Sequence, residues 1–215
     1  MIVVQIGDTH IDPVRPAAGG RIDTAEALAR CIAQINALEP QPDLVLHTGD
    51  LVERRTPEEY AKFREIVAAL RAPFYAIPGN HDGRDAMRAA FTDAPWMPQD
   101  GDFIQYTIED AGPLRIVALD CTIPGAGSGE LCEERLSWLA ARLAEAPARP
   151  TIVALHHPPF PTGLPEIDRG GFGGLDAFKA IIADNVQVER VVSGHVHRAM
   201  HVRFGGTIAS AVPST

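Results

Sequence analysis

The stretch Ile2-Val3-Val4-Gln5-Ile6-Gly7-Asp8-Thr9-His10 runs from a short apolar segment into a glycine, a carboxylate and an imidazole. An apolar run of this length reads as a buried strand. The same phrase recurs along the chain. Leu44 to His47 leads to Gly49-Asp50, and Phe74 to Ile77 leads to Gly79-Asn80-His81-Asp82. Ile152 to Leu155 leads to His156-His157-Pro158-Pro159, and Arg190 to Val192 leads to Gly194-His195-Val196-His197. In open α/β sheets, sites form at the carboxyl ends of strands. These strand ends are therefore expected to converge on one place.

Helical patterns fill the intervals. Thr24 to Leu38 carries Leu28, Ile32, Ile35 and Leu38 at near-helical spacing. Thr56-Pro57-Glu58-Glu59 opens a second helix that runs to about Leu70. Asp85 to Phe91, Glu133 to Ala146 and Leu175 to Ala183 are three more. Strands alternating with helices predict an α/β layered domain. Phe103 to Glu109 and Leu114 to Leu119 flank the turn signal Asp110-Ala111-Gly112-Pro113 and predict an antiparallel hairpin. Met200 to Phe204 and Thr207 to Ala211 flank Gly205-Gly206 in the same way. Mixed sheets follow. With no linker or repeat, residues 1–215 are expected to form a single domain. The Pro/Gly-rich stretch 158–174 reads as a long loop of the functional kind.

Composition narrows the classes of function. A net charge of −9 argues against a broad nucleic-acid footprint, which needs a basic face. It leaves room for a small anionic substrate, because bound cations invert the field locally. The three cysteines, Cys31, Cys121 and Cys132, have no zinc-site spacing and no disulfide pattern, which points to a reducing compartment. The sequence has no secretory leader pattern and no apolar run of membrane-spanning length, so a cytoplasmic location without a membrane partner is expected. A homo-oligomer stays open.

The residue types at the strand ends suit divalent metal. Residues two apart on an extended segment point to the same side. Asp8 with His10, and His195 with His197, can thus each present two ligands. Carboxylate plus imidazole suits zinc, manganese or iron. Asp50 could bridge two ions, and Asn80 adds a carbonyl oxygen.

Taken in order, Asp8-x-His10, Gly49-Asp50, Gly79-Asn80-His81-Asp82, His156 and Gly194-His195-x-His197 resemble the calcineurin-like metallophosphoesterase superfamily. The match covers nearly the whole chain. Pro78 to Asp82, Leu119-Asp120-Cys121 to Trp138-Leu139, and His156-His157-Pro158-Pro159 are similar to the glycerophosphodiesterase and class III cyclic nucleotide phosphodiesterase branch. The resemblance implies a four-layer sandwich of two mixed β-sheets flanked by helices. It implies two divalent ions (manganese, iron, zinc or cobalt). One would take Asp8, His10, Asp50 and His197, and the other Asp50, Asn80, His156 and His195. His81 would be the catalytic group that faces the phosphoryl group, and no residue is assigned to an organic cofactor. The implied reaction is hydrolysis of a small phosphodiester, such as a glycerophosphodiester or a 3',5'-cyclic nucleotide, by hydroxide held between the ions. A phosphomonoesterase or nucleotide pyrophosphatase on the same scaffold is the alternative. A non-catalytic scaffold is disfavoured, because it would not need the whole ligand set. Relatives of this branch often extend beyond the last strand, whereas this sequence stops at Thr215.

Other candidates have plainer roles. His157 is expected to support a ligand or the fold, His47 to be a core or near-site residue, and His201 to lie at the surface. Asp82 is expected to orient a neighbour. Arg15, Arg21, Arg54 and Arg55 are expected at the cleft rim, where substrate contact and plain solvation are both open.

Overall fold

The computed structural model describes residues 1–14 and 22–215, so Arg15 and Arg21 lie outside the described residues. Strands β1 (Val3–Ile6), β2 (Leu44–His47) and β3 (Phe74–Ala76) form a three-stranded sheet in that order. Helix α1 (Thr24–Asn36) joins the first two strands and α2 (Pro57–Val67) joins the second and third. A helical crossover returns the chain to the same edge, so both pairings are parallel. The smaller sheet is therefore parallel throughout, and the mixing expected of both sheets is confined to the larger one.

That sheet has the order β10-β11-β9-β7-β5-β4. Its members are β4 (Tyr106–Ile108), β5 (Arg115–Ala118), β7 (Thr151–Ala154), β9 (Val188–Ser193), β10 (Met200–Phe204) and β11 (Thr207–Ala211). The two hairpins at its edges are antiparallel and the interior is parallel. Helices α3 (Arg84–Ala90), α4 (Glu133–Ala144) and α6 (Leu175–Asp184) fall where helical spacing placed them.

Side-chain alternation in the larger sheet builds the layers. Ile116 and Ala118 on β5 join a core with Ile6, Val45, Leu28 and Phe63, between the sheets and under α1 and α2. Val117 on the same strand, with Val153 and Val191, faces Leu139 and Leu143 of α4 and Phe178 and Ile182 of α6. Helix, sheet, sheet, helix is the result.

Caps fix the helices locally. Thr56 accepts from the Glu59 backbone, and the Glu59 side chain accepts from Thr56, a reciprocal capping box with Pro57 behind it. Asp23 accepts from the Glu26 backbone at the start of α1.

Two departures have local causes. The expected strand from Phe103 shrinks to β4, because the Ile104 N–H goes to the buried Asp120 carboxylate at 3.1 Å rather than to the ladder. The 158–174 loop is not structureless. It holds the short helix α5 (Pro165–Asp168) and β8 (Phe172–Gly173), which pairs with β6 (Gly129–Glu130). Two-residue strands carry no periodicity to read. Among the described residues no helix is long and apolar enough to cross a membrane.

Candidate metal centre

Both sheets bring the carboxyl ends of their strands to one edge, and the seven expected ligands meet there. Asp8, His10 and His197 form one group and Asp8, Asp50 and His156 another, each with ligand atoms within 4.8 Å of one another. The His156 and His195 rings are 5.1 Å apart, and Asn80 Oδ1 lies 3.0 Å from His156 Nε2.

The backbone achieves this by a route other than the extended one expected. Asp8 (φ 56°), His10 (φ 43°), Asp50 (φ 57°), His195 (φ 70°) and His197 (φ 52°) all adopt the left-handed conformation. That region is costly for residues with a Cβ and concentrates at functional sites. The glycines also differ in role. Gly49 has φ 95°, but Gly79 and Gly194 serve by lacking a side chain. A Cβ at Gly79 would stand 2.2 Å from Asp50 Oδ1, and one at Gly194 would stand 2.6 Å from Asp8 Oδ2.

Hydrogen bonds from behind orient four of these side chains. His156 Nδ1 donates to the Thr48 carbonyl at 2.8 Å, which turns Nε2 towards Asp50 Oδ2 at 3.3 Å. His10 Nδ1 meets Glu53 Oε2 at 2.8 Å, which turns Nε2 towards Asp50 Oδ2 at 3.6 Å and His197 Nε2 at 3.1 Å. Asp50 Oδ1 accepts the His81 N–H and Asp8 Oδ1 accepts the His195 N–H, both at 2.8 Å. Their second oxygens are left for the centre, and Asp8 Oδ2 is buried without a hydrogen-bond partner. Carboxylate and amide oxygens and imidazole nitrogens thus crowd together. Such an array fits cations, and the donor set suits borderline divalent metals.

Electrostatics divide the histidines. Burial disfavours charge on His156, yet the Asp50 carboxylate raises its pKa to about 9. Burial likewise opposes the Asp50 charge, but His156 and His10 hold its pKa far below the carboxylate range. Burial lowers His10, and burial with His156 pushes His195 down to about 4. Neutral imidazole is the form that binds metal, so His10 and His195 are ready for an ion, while His156 would give up a proton to one.

The chain from Met1 to residue 199 matches the calcineurin-like phosphoesterase family. The protein belongs to that family. It is 40% identical over 199 residues to a probable glycerophosphodiester phosphodiesterase of Arcobacter nitrofigilis, covering 92% of this chain and 72% of the relative. It is 32% identical to the 3',5'-cyclic adenosine monophosphate phosphodiesterase of Escherichia coli K12, covering 99% of this chain and 75% of the relative. A dimetal phosphatase from Danio rerio has the same fold, with a TM-score of 0.76 at 15% identity over 99% of this chain and 87% of that one. As a calcineurin-like phosphoesterase, the protein is a metal-dependent phosphoric ester hydrolase.

The remaining candidates now have places. His81 Nδ1 bonds the Glu53 carbonyl at 3.1 Å, beside the His10 ring at 4.7 Å. Asp82 is buried and accepts from the Gly79 and Leu51 backbones and from Tyr60, so it pins the Asn80-His81 turn. His47 is buried against Thr9, and His201 is exposed on β10. Arg54 turns away into Asp12 and Glu59. Arg55 instead donates to the Asn80 and His81 carbonyls. Sequence reasoning missed Glu53, which links His10 to His81. Its signal was an acid three positions after Asp50. All three cysteines are free thiols.

Proposed function

We propose that the protein hydrolyses small phosphodiesters of the glycerophosphodiester or 3',5'-cyclic nucleotide type at a two-metal centre. Asp8, His10, Asp50 and His197 hold one ion, and Asp50, Asn80, His156 and His195 hold the other. The observation that carries this is the position of Asp50 Oδ2 between His10 Nε2 and His156 Nε2, where one carboxylate oxygen serves both groups. A divalent pair, when bound, supplies Lewis acidity to a phosphoryl oxygen and a lowered pKa to the attacking water. Manganese, iron, zinc and cobalt all suit the donors.

The chain's own groups do the rest. Glu53 and Thr48 fix the ring orientations of His10 and His156. Asp82 and Arg55 both hold the Asn80-His81 turn. With Nδ1 committed to Glu53, His81 has Nε2 left to act on the phosphoryl oxygens or the leaving oxygen. The excess of acidic residues supports a small substrate over nucleic acid. The shared core and the free thiols support one domain over residues 1–215 and a cytoplasmic setting.

The test compares bis(p-nitrophenyl) phosphate with p-nitrophenyl phosphate, on protein loaded separately with each metal. Faster diester turnover is expected, with a large loss in Asp50→Asn. Preference for the monoester, or full activity in Asp50→Asn, overturns the reading.

A further inference from the structure

Asp120 occupies on β5 the place that His156 occupies on β7. Ala118 and Ala154 are paired in register, and each of these residues stands two positions further on. A strand-end carboxylate at that place has the chemistry of a ligand, yet Asp120 joins none of the metal-type groups among the described residues. It is fully buried, and protein donors take both of its oxygens. Arg84 holds it as a fork, with Nε to Oδ2 at 2.6 Å and Nη2 to Oδ1 at 3.1 Å. The Ile104 and Thr122 N–H groups and the Thr122 hydroxyl supply the rest.

A buried ion pair is weak evidence of a gain in stability, because desolvation cancels much of the attraction. What a bidentate pair fixes is geometry. This one joins two segments that each carry a proposed ligand of the same ion. Arg84 opens α3, four residues after Asn80, and Asp82 between them is pinned by the Gly79 and Leu51 backbones. Asp120 is followed by Cys121, whose sulfur accepts the backbone N–H of His157, the buried neighbour of His156, at 3.3 Å. The Arg84 fork has little freedom to follow a displaced partner. Its Nη2 also donates to the Thr122 carbonyl at 2.8 Å, and its guanidinium lies over the Phe103 ring.

We propose that Arg84 and Asp120 are positioning residues for the ion assigned to Asn80. Without touching it, they set the separation between Asn80, carried by the smaller sheet, and His156, carried by the larger one. The inference rests on the two-metal reading. Asn80 is the ligand most dependent on such a tie, since it offers a neutral amide oxygen, and its Oδ1 stands 3.0 Å from His156 Nε2. Asp82 and Arg55 hold the shape of the Asn80-His81 turn from within its own half of the molecule. The fork holds its placement against the other half.

Calorimetric titration of the metal-free protein with manganese tests this, with thermal melting alongside. The wild type is expected to take two equivalents. Asn80→Ala removes a ligand, and the equivalent that remains identifies the other site. Arg84→Met/Asp120→Asn removes both charges together, so the net charge is unchanged and no buried carboxylate is left unpaired. It also leaves an oxygen for the Ile104 and Thr122 N–H groups. This variant should weaken the equivalent that Asn80→Ala affects by about tenfold, the low end of what partners that orient a ligand contribute. The other equivalent should stay within about twofold of wild type. Arg84→Lys keeps the charge and loses the fork, and it should fall between wild type and the double variant. Equal weakening of both equivalents in step with a lower melting temperature makes the pair a support of the fold alone and overturns the proposal. Wild-type affinity for both equivalents in the double variant, or loss confined to the site that Asn80→Ala spares, overturns it too. Uptake of a single equivalent by the wild type overturns the two-metal reading itself, and the proposal with it.

Discussion

Replacing Gly79 by alanine puts a methyl group where the site has no room. The added Cβ would lie 2.2 Å from Asp50 Oδ1 and 2.3 Å from the Asp50 backbone nitrogen. Ordinary contact begins at 3.4 Å, so the two segments must separate by about 3.4 − 2.2 = 1.2 Å. Neither listener can swing aside, because one is backbone and the other accepts the His81 N–H at 2.8 Å. Metal–ligand distances tolerate only about 0.2 Å. A misplacement of about 1 Å costs roughly 100-fold in rate, and overpacking costs about 1–3 kcal/mol of stability. Gly101→Ala is the control. Gly101 has φ 82°, but nothing lies within 4 Å of its added Cβ. That variant should lose about 1–2 kcal/mol from backbone strain alone and keep its metal and its rate. Elemental analysis, diester turnover and thermal melting separate the two. A Gly79→Ala protein that holds two equivalents of metal and works within tenfold of wild type would refute the reasoning.

His81→Ala should retain both metals and lose about 10²- to 10⁴-fold in rate. A plot of log rate against leaving-group pKa decides its role, since a deficit that shrinks for good leaving groups marks a proton donor and a constant one marks a charge stabiliser. Glu53→Gln should weaken metal binding by about 10- to 100-fold, because it removes the carboxylate that orients His10; unchanged affinity in a chelator competition would count against that. In metal-free protein, burial holds His47 at about 3, and burial with His156 holds His195 at about 4. Between about pH 6.5 and 4 the unfolded chain therefore binds protons that the folded one refuses, and the melting temperature should fall as pH drops. Asp82, which burial and Asp50 hold at about 6, offsets part of this loss, and His47→Gln should flatten the slope.

Much of the site was legible because its residues follow apolar runs directly. Asp50, His156 and His195 each stand within three positions of a strand end. What stayed hidden depends on distance in sequence rather than pattern. Nothing in the sequence showed that the alternation of β5 splits its side chains between two cores. Nothing near Cys121 showed that its sulfur would meet His157, 36 positions away. The left-handed backbone of Asp8 and His10 was also unreadable, since neither residue type demands it. It is imposed by the parallel pairing around them, in which the Asp8 N–H reaches the Gly49 carbonyl and the His10 N–H reaches the Asp50 carbonyl.

The two sheets contribute unequal shares of the proposed ligand set. Asp8, His10, Asp50 and Asn80 follow strands of the smaller sheet, while His156, His195 and His197 follow strands of the larger one. The His195 N–H closes onto Asp8 across 187 positions of chain, and Ser214 donates to the Asp8 carbonyl across 206. During synthesis the first ligand emerges long before its partners exist. A nascent chain can shape β1 to β3 around α1 and α2 and still have only half a chelate. On the proposed ligand set, metal capture would be a late event, and an ion in place would tie the β1 end of the fold to the segment around His195 and His197.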